Sequence, residues 1–194
     1  MVDAHIADSL AGLEVEELGR ARAIVDVGSG AGFPGLVLAI ALPAARVDLV
    51  EAARRKCEVI ERLRSAAGVA NARVVPARAE DVAAGERRAA YDAVTTRAVD
   101  SLAVLVEYAA PLLRIGGVLV AWKGAVGPEE RRAGDGAAEL LGCEPGGVRR
   151  VEPFEGAERR HLHLYTKTRE TPDGFPRRAG MARKRPLVGP GRKQ

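Results

Sequence analysis

The strongest chemical signal in the chain is Asp26-Val27-Gly28-Ser29-Gly30-Ala31-Gly32-Phe33-Pro34-Gly35, set between the β-branched run Ala23–Val27 and the apolar, helix-compatible run 35–42. Glycines let a backbone turn tightly and approach a ligand where a Cβ would clash. In an open α/β sheet, a loop of this kind sits over the carboxyl end of a strand, where ligands bind. Residues 30–35 also spell the G-x-G-x-x-G fingerprint of dinucleotide binders. That match starts late relative to the strand. Pro34 removes a backbone N–H where a pyrophosphate needs donors, and Asp26 would set a carboxylate near those phosphates. S-adenosylmethionine (AdoMet) has no phosphate, and it carries an ammonium and a sulfonium that a carboxylate favours. The loop therefore points to AdoMet, with Asp26, Gly28, Gly30 and Gly32 as cofactor-binding residues. The alternative is a nicotinamide-dependent oxidoreductase.

Further candidates follow along the chain. Glu51 ends the next strand-like run, 23 residues after Gly28, where an acid accepts hydrogen bonds from ribose hydroxyls. Ala79 and Glu80 follow the third run, where an adenine ring is expected; Glu80 or Asp81 could equally cap a helix. Arg97 follows Tyr91–Thr95 and is expected to contact the base, an RNA phosphate or the cofactor, unless it pairs with Asp26 or Asp100. Lys123 follows the fifth run and either holds phosphate or is a solvated loop lysine. His5 and Asp8 are spaced to share a helix face and to close over the cofactor; the bland alternative is a surface histidine and a helix charge. His161 and His163 share one strand face but lack a third ligand, so they read as structural and no metal is expected. Trp122 reads as core, while Phe33 and Phe175 lie in glycine- or proline-rich loops suited to stacking, the alternative for Phe33 being that it packs its own loop.

These residues need a frame. Strand-like runs at 23–27, 46–50, 73–76, 91–95 and 118–122 alternate with helix-like runs at 35–42, 54–67, 101–113 and 128–141. Gly68 is placed to cap one helix and Ser101 to start another, while Gly116-Gly117 reads as a turn. Such alternation predicts a mostly parallel sheet covered on both faces. Two last strands, 148–153 and 161–167, are too close for a parallel crossover and should form an antiparallel hairpin. The expected architecture is an α/β, Rossmann-like, class I AdoMet-dependent methyltransferase with a seven-stranded sheet, over residues 1–168. Residues 169–194 read as an extended basic tail.

Composition agrees with one globular unit. The chain has 194 residues, 47% of them hydrophobic and 29% charged. Two isolated cysteines, Cys57 and Cys143, suit a reducing cytoplasm. No apolar run approaches membrane-spanning length, and no signal peptide is evident, so no membrane partner is expected. From Tyr165 onward nine Lys or Arg stand against Glu170 and Asp173, a net of +7; the whole chain carries +4, which leaves residues 1–164 at −3. A basic tail on a mildly acidic body is either a polyanion-binding element or a solvated terminus.

Taken in order, several segments resemble one family. They are His5-Ile6-Ala7-Asp8-Ser9-Leu10, the glycine-Phe-Pro loop, Val50-Glu51 with its basic helix, Arg78-Ala79-Glu80, Thr95-Thr96-Arg97-Ala98-Val99, Ala121-Trp122-Lys123-Gly124, Arg160-His161-Leu162, and the tail run 171–180. The chain resembles the ribosomal RNA small subunit methyltransferase G family. The resemblance implies methylation of a guanine N7 in 16S ribosomal RNA, with that RNA or the 30S subunit as partner; separately, a monomer is expected. It also implies AdoMet contacts at Gly28, Phe33, Glu51, Ala79-Glu80 and Arg97. Guanine N7 has a free lone pair at neutral pH, so no general base is expected; Arg97 and Lys123 are expected to position the substrate. A non-catalytic RNA-binding relic is a further alternative. Family members usually carry a longer N-terminal helical segment, which is expected to be missing or shortened here.

Overall fold

The computed structural model describes residues 2–189; Arg192 and Lys193 of the basic tail lie outside them. The chain begins with helix α1 (Val2–Leu10), a 3-10 turn (Ala11–Glu14) and α2 (Glu16–Arg20). Then follow β1 (Ala23–Val27), α3 (Gly35–Ala41), β2 (Arg46–Glu51), α4 (Arg54–Ala66), β3 (Ala72–Pro76), α5 (Ala79–Ala84), β4 (Tyr91–Arg97) and α6 (Leu102–Ala109). The chain continues through β5 (Leu113–Lys123), α7 (Pro128–Leu140), β6 (Cys143–Val151), β7 (Arg160–Lys167) and α8 (Met181–Lys184). The seven strands form one sheet, ordered β3-β2-β1-β4-β5-β7-β6. The first five run parallel, and β7 pairs antiparallel with both β5 and β6. The strand order reverses between β1 and β4, which opens a crevice at their carboxyl ends.

The period-two alternation of strands sends side chains to two cores. Val25, Val27, Val94, Leu119 and Ala121 pack with α5, α6 and α7 on one face. Ile24, Val47, Leu49, Ala93, Val118, Val120 and Trp122 pack with α2, α3 and α4 on the other. Asp26 shares the face of Ile24 and so lies beneath α3, fully buried. One carboxylate oxygen accepts the Thr95 hydroxyl at 2.9 Å and the other accepts the Gly35 N–H at 3.2 Å. A Cβ on Gly35 would collide with Leu49 and Asp26 itself, so only glycine lets α3 settle this close to the sheet.

Several elements depart from their sequence expectations. Helix α6 stops at Ala109 instead of continuing to Leu113, because Pro111 cannot continue the helix. Ser101 takes the N-cap position without a side-chain bond; the Glu130 carboxylate accepts the Leu102 N–H instead, at 3.1 Å. Gly116-Gly117 is no free turn but lies within β5, whose register against β4 shifts there. Strand β6 begins at Cys143 and runs through Pro145-Gly146-Gly147, which an exposed edge strand tolerates.

The tail expectation also needs correction. Residues 169–189 are not a free extension but return over α5 and α6. Arg177 forms a two-pronged ion pair with the buried Glu107 of α6, its Nε at 2.7 Å from one carboxylate oxygen. Arg88 donates to the carbonyls of Phe175 and Thr171, and Lys167, itself buried, donates to the Leu141 carbonyl at 2.7 Å. The tail's cations meet acids of the body, which is why a Pro- and Gly-rich segment folds back at all. Phe175 packs half-buried against the core and takes no part in the crevice.

Two predictions follow from these buried charges. Arg177→Ala leaves Glu107 without its partner and is expected to cost about 3 kcal/mol in urea unfolding. Burial raises the Asp26 carboxyl from 3.8 to about 6, although hydrogen bonds and the Arg97 charge oppose the rise. Its folded value exceeds its unfolded one, so the stability it contributes is complete below about pH 4 and disappears as pH climbs through about 6. Asp26→Asn removes this titration; its amide oxygen still accepts the Gly35 N–H, and its NH₂ donates to the Thr95 hydroxyl oxygen in place of accepting from it. The variant's stability relative to the native chain should therefore rise by about 3 kcal/mol between about pH 4 and pH 6.5. Burial, with the nearby charges of Arg131, His161 and Lys123, lowers His163 to about 4. That group loses stability as pH falls from about 6.5, in the opposite direction, but it is common to both proteins and cancels in the comparison.

Candidate active site

The carboxyl ends of β1, β2, β3 and β4 surround a hollow of about 390 Å³. Gly28 and Gly30 form its floor, Glu51 and Lys56 one edge, Ala79 and Glu80 another, and Arg97 to Val99 the side towards β4. The loop after β1 is held in place by its own amides. Gly28 and Ser29 donate to the Val50 carbonyl at 2.9 and 3.1 Å, and Gly32 and Phe33 both donate to the Ser29 carbonyl. Gly30 donates to a Glu51 carboxylate oxygen at 3.0 Å, while the other Glu51 oxygen accepts the Ala53 N–H at 2.8 Å. These amides are spent on protein acceptors, so the loop is no cradle for a pyrophosphate. The nicotinamide reading loses its physical basis here.

The sequence-selected residues divide in two. Gly28, Gly30, Glu51, Ala79, Glu80 and Arg97 come together around the hollow. Asp26, Gly32 and Phe33 do not line it. Asp26 faces α3 beneath the loop, for the alternation reason already given, and is a structural carboxylate rather than a partner for a ligand ammonium. Gly32 supplies a positive φ of 94°, and a Cβ there would touch Leu36, away from the hollow. Phe33 stands behind Arg97, whose guanidinium carbon lies 5.3 Å from the ring centroid. Gly28 has φ of 73° and faces Val99, so a side chain there would strain the backbone and displace Val99 before reaching any ligand.

Arg97 is the hinge of the arrangement. Its partner is neither Asp26 nor Asp100 but Asp8 of α1, at 3.0 Å. His5, one helical turn earlier, lies against Phe33 with ring centroids 5.7 Å apart. His5 and Asp8 do share a helix face, but that face meets Phe33 and Arg97. They therefore do not close over the larger hollow. Asp8 instead lines a second cleft of about 150 Å³ with Arg97, Trp122, Lys123, Arg160 and His161. Lys123 is no free phosphate clamp: its ammonium contacts Glu130 and the Asp100 carbonyl, each at 2.8 Å. Trp122 is core, and its indole N–H donates to the Asp8 carbonyl at 2.8 Å.

Residues from the tail complete the hollow, and sequence reasoning did not place them there. The Gly180 N–H donates to the Glu80 carboxylate at 2.8 Å, and Arg183 lines the hollow while bonding Asp100 at 2.6 Å and the Val99 carbonyl. Tyr108 of α6 lines it as well. The cation-acid imbalance between tail and body was the signal available for this docking, but it did not say which acid each arginine meets.

A family model described as rRNA small subunit methyltransferase G matches residues 1–162. Among curated relatives, the ribosomal RNA small subunit methyltransferase G of Rubrobacter xylanophilus is 46% identical over 191 residues, covering 96% of this chain and 73% of that protein. The protein of the same name from Symbiobacterium thermophilum is 42% identical over 193 residues, covering 96% and 78%. Among solved structures, the mitomycin 7-O-methyltransferase MmcR superposes with a TM-score of 0.68 at 14% identity, over 86% of this chain and 54% of that one. A predicted O-methyltransferase, Atu636 of Agrobacterium tumefaciens, gives 0.64 at 24% identity, over 83% and 80%. Those two similarities concern the fold, which is that of the class I methyltransferases. On the family model and the curated relatives together, the chain belongs to the ribosomal RNA small subunit methyltransferase G family.

Proposed function

We propose that the chain transfers a methyl group from AdoMet to N7 of a guanine in 16S ribosomal RNA, acting on the 30S subunit in the cytoplasm. The observation that carries this reading is the hollow itself. It is nucleoside-sized, floored by Gly28 and Gly30, edged by Glu51 and Glu80, and built on amides already bonded to protein. Glu51 holds the glycine loop through one oxygen and keeps lone pairs for a ribose hydroxyl. Ala79 and Glu80 offer a place for the adenine ring. Bound there, AdoMet supplies an electrophilic sulfonium methyl group.

The protein's own work is then positioning. Guanine N7 needs no deprotonation, so no histidine or cysteine is required as a base. That fits Cys143, whose thiol burial pushes up to about 11, and His163, which burial keeps neutral. Arg97, on the wall between hollow and cleft, orients the two reactants and supplies fixed positive charge beside them. Lys123 shapes the far wall, its charge balanced by Glu130. Exposed arginines outside these pairs would hold RNA phosphates with salt-sensitive affinity.

The reading is tested by incubating the protein with 30S particles and isotope-labelled AdoMet, then mapping the RNA by mass. One labelled guanine, cleavable by the borohydride-aniline chemistry specific to N7-methylguanine, is the expected result. Label found only on protein or small molecules would overturn the substrate assignment. Glu51→Ala removes both the loop anchor and the ribose acceptor. It should weaken AdoMet binding by roughly ten- to a hundredfold in isothermal titration.

A further inference from the structure

We propose that the cleft on the far side of Arg97 is the acceptor-base pocket, and that Asp8 reads the Watson–Crick edge of guanine there. The inference rests on the reading just given and adds to it the residue that selects the base. The cleft is about 150 Å³, the scale of one base rather than a nucleotide, and it shares Arg97 and Ala98 with the larger hollow. Only the exit of β4 separates the two. Ala98 holds a positive φ of 54° at that partition, a conformation uncommon for a residue with a Cβ.

The chemistry comes from two unsatisfied atoms. Asp8 is 5% exposed, and its Oδ2 is taken by Arg97. Its Oδ1 is buried and has no hydrogen-bond partner among the described residues; Nδ1 of His161 is in the same condition. A buried carboxylate oxygen without a donor is expensive to maintain and signals a donor that arrives with a ligand. A second cation, Arg160, stands 3.8 Å from Oδ1, beyond hydrogen-bond reach, with its side chain half exposed. It is the group that must swing outward to admit a base.

Guanine fits what the cleft offers. Its N1–H and N2–H₂ are adjacent donors for one carboxylate, and its O6 accepts from His161 as the Nδ1–H tautomer. Adenine presents a lone pair at N1, which would face the Asp8 oxygen and be repelled. A base gripped by its Watson–Crick edge also leaves N7, on the Hoogsteen edge, unengaged and available for methylation. The negative charge that Asp8 places in the cleft is balanced by Arg97 and not by the base, so the grip discriminates without demanding a charged ligand.

The test compares 30S particles carrying guanosine or inosine at the nucleotide that the wild-type protein methylates. Inosine lacks the N2 amino group but keeps N1–H, O6 and N7. The wild type should lose roughly tenfold in kcat/KM on inosine. Asp8→Asn should lose roughly ten- to a hundredfold on guanosine, yet treat guanosine and inosine within about twofold of one another. Both variants leave Arg97 without its carboxylate partner, so the melting temperature should fall, further for Asp8→Ala than for Asp8→Asn; the guanosine-to-inosine ratio of the folded protein is the readout that a purely structural loss would not move. If Asp8→Ala does not fold, the isosteric asparagine still decides. Asp8→Asn that keeps the wild-type guanosine-to-inosine ratio overturns the assignment of Asp8 while leaving the proposed function intact. A wild-type protein that methylates no guanine overturns that function and this inference with it.

Discussion

Asp26 is a carboxylate sealed from water, and the whole ligand edge depends on it. From the middle of the sheet it binds Thr95 on β4 and the first amide of α3, so the two strands flanking the crevice and the helix above them share one side chain. The Gly35 amide is also the positive end of α3, where a carboxylate is favoured. With its lower end pinned by Asp26, the glycine loop is pinned at its upper end by Val50 and Glu51 of β2. The floor of the hollow is therefore fixed by the protein before any ligand arrives, which is what a site that works by positioning requires.

The ends of the chain are recruited to the same edge. Helix α1 delivers Asp8 to Arg97, and the tail delivers Gly180 to Glu80 and Arg183 to Asp100. Each contact joins residues separated by 83 to 100 positions, apart from the final approach of side chains over a few ångströms. The tail's excess of positive charge and the body's excess of negative charge are thus partly two sides of one internal interface.

The frame was legible because it is written in local periods. Strand and helix runs between Ala23 and Ala66 match the structure to within a residue or two, and the antiparallel ending followed from the short gap before β7. Where the reading of α6 overran, Pro111 carried the stop signal in plain view. The edge strand β6 was harder, since Pro145-Gly146-Gly147 has turn chemistry and only its place at the sheet margin makes it a strand. Helices α2, α5 and α8 are short, and packing rather than propensity decides such elements.

By itself the sequence determined the order of elements, the glycine loop, and the acids and arginine that end the strands at the ligand edge. Those features depend on residue type and on spacings of a few positions, which hold wherever the segment finally sits. Tertiary structure decided what each charge does. It buried Asp26 under α3 instead of facing it to a ligand, tied Lys123 to Glu130, gave Arg97 to Asp8, and folded the tail onto Glu107. An ion pair forms between whichever opposite charges the fold brings within a few ångströms, and that distance is a property of the packed sheet and helices, not of any local stretch of chain.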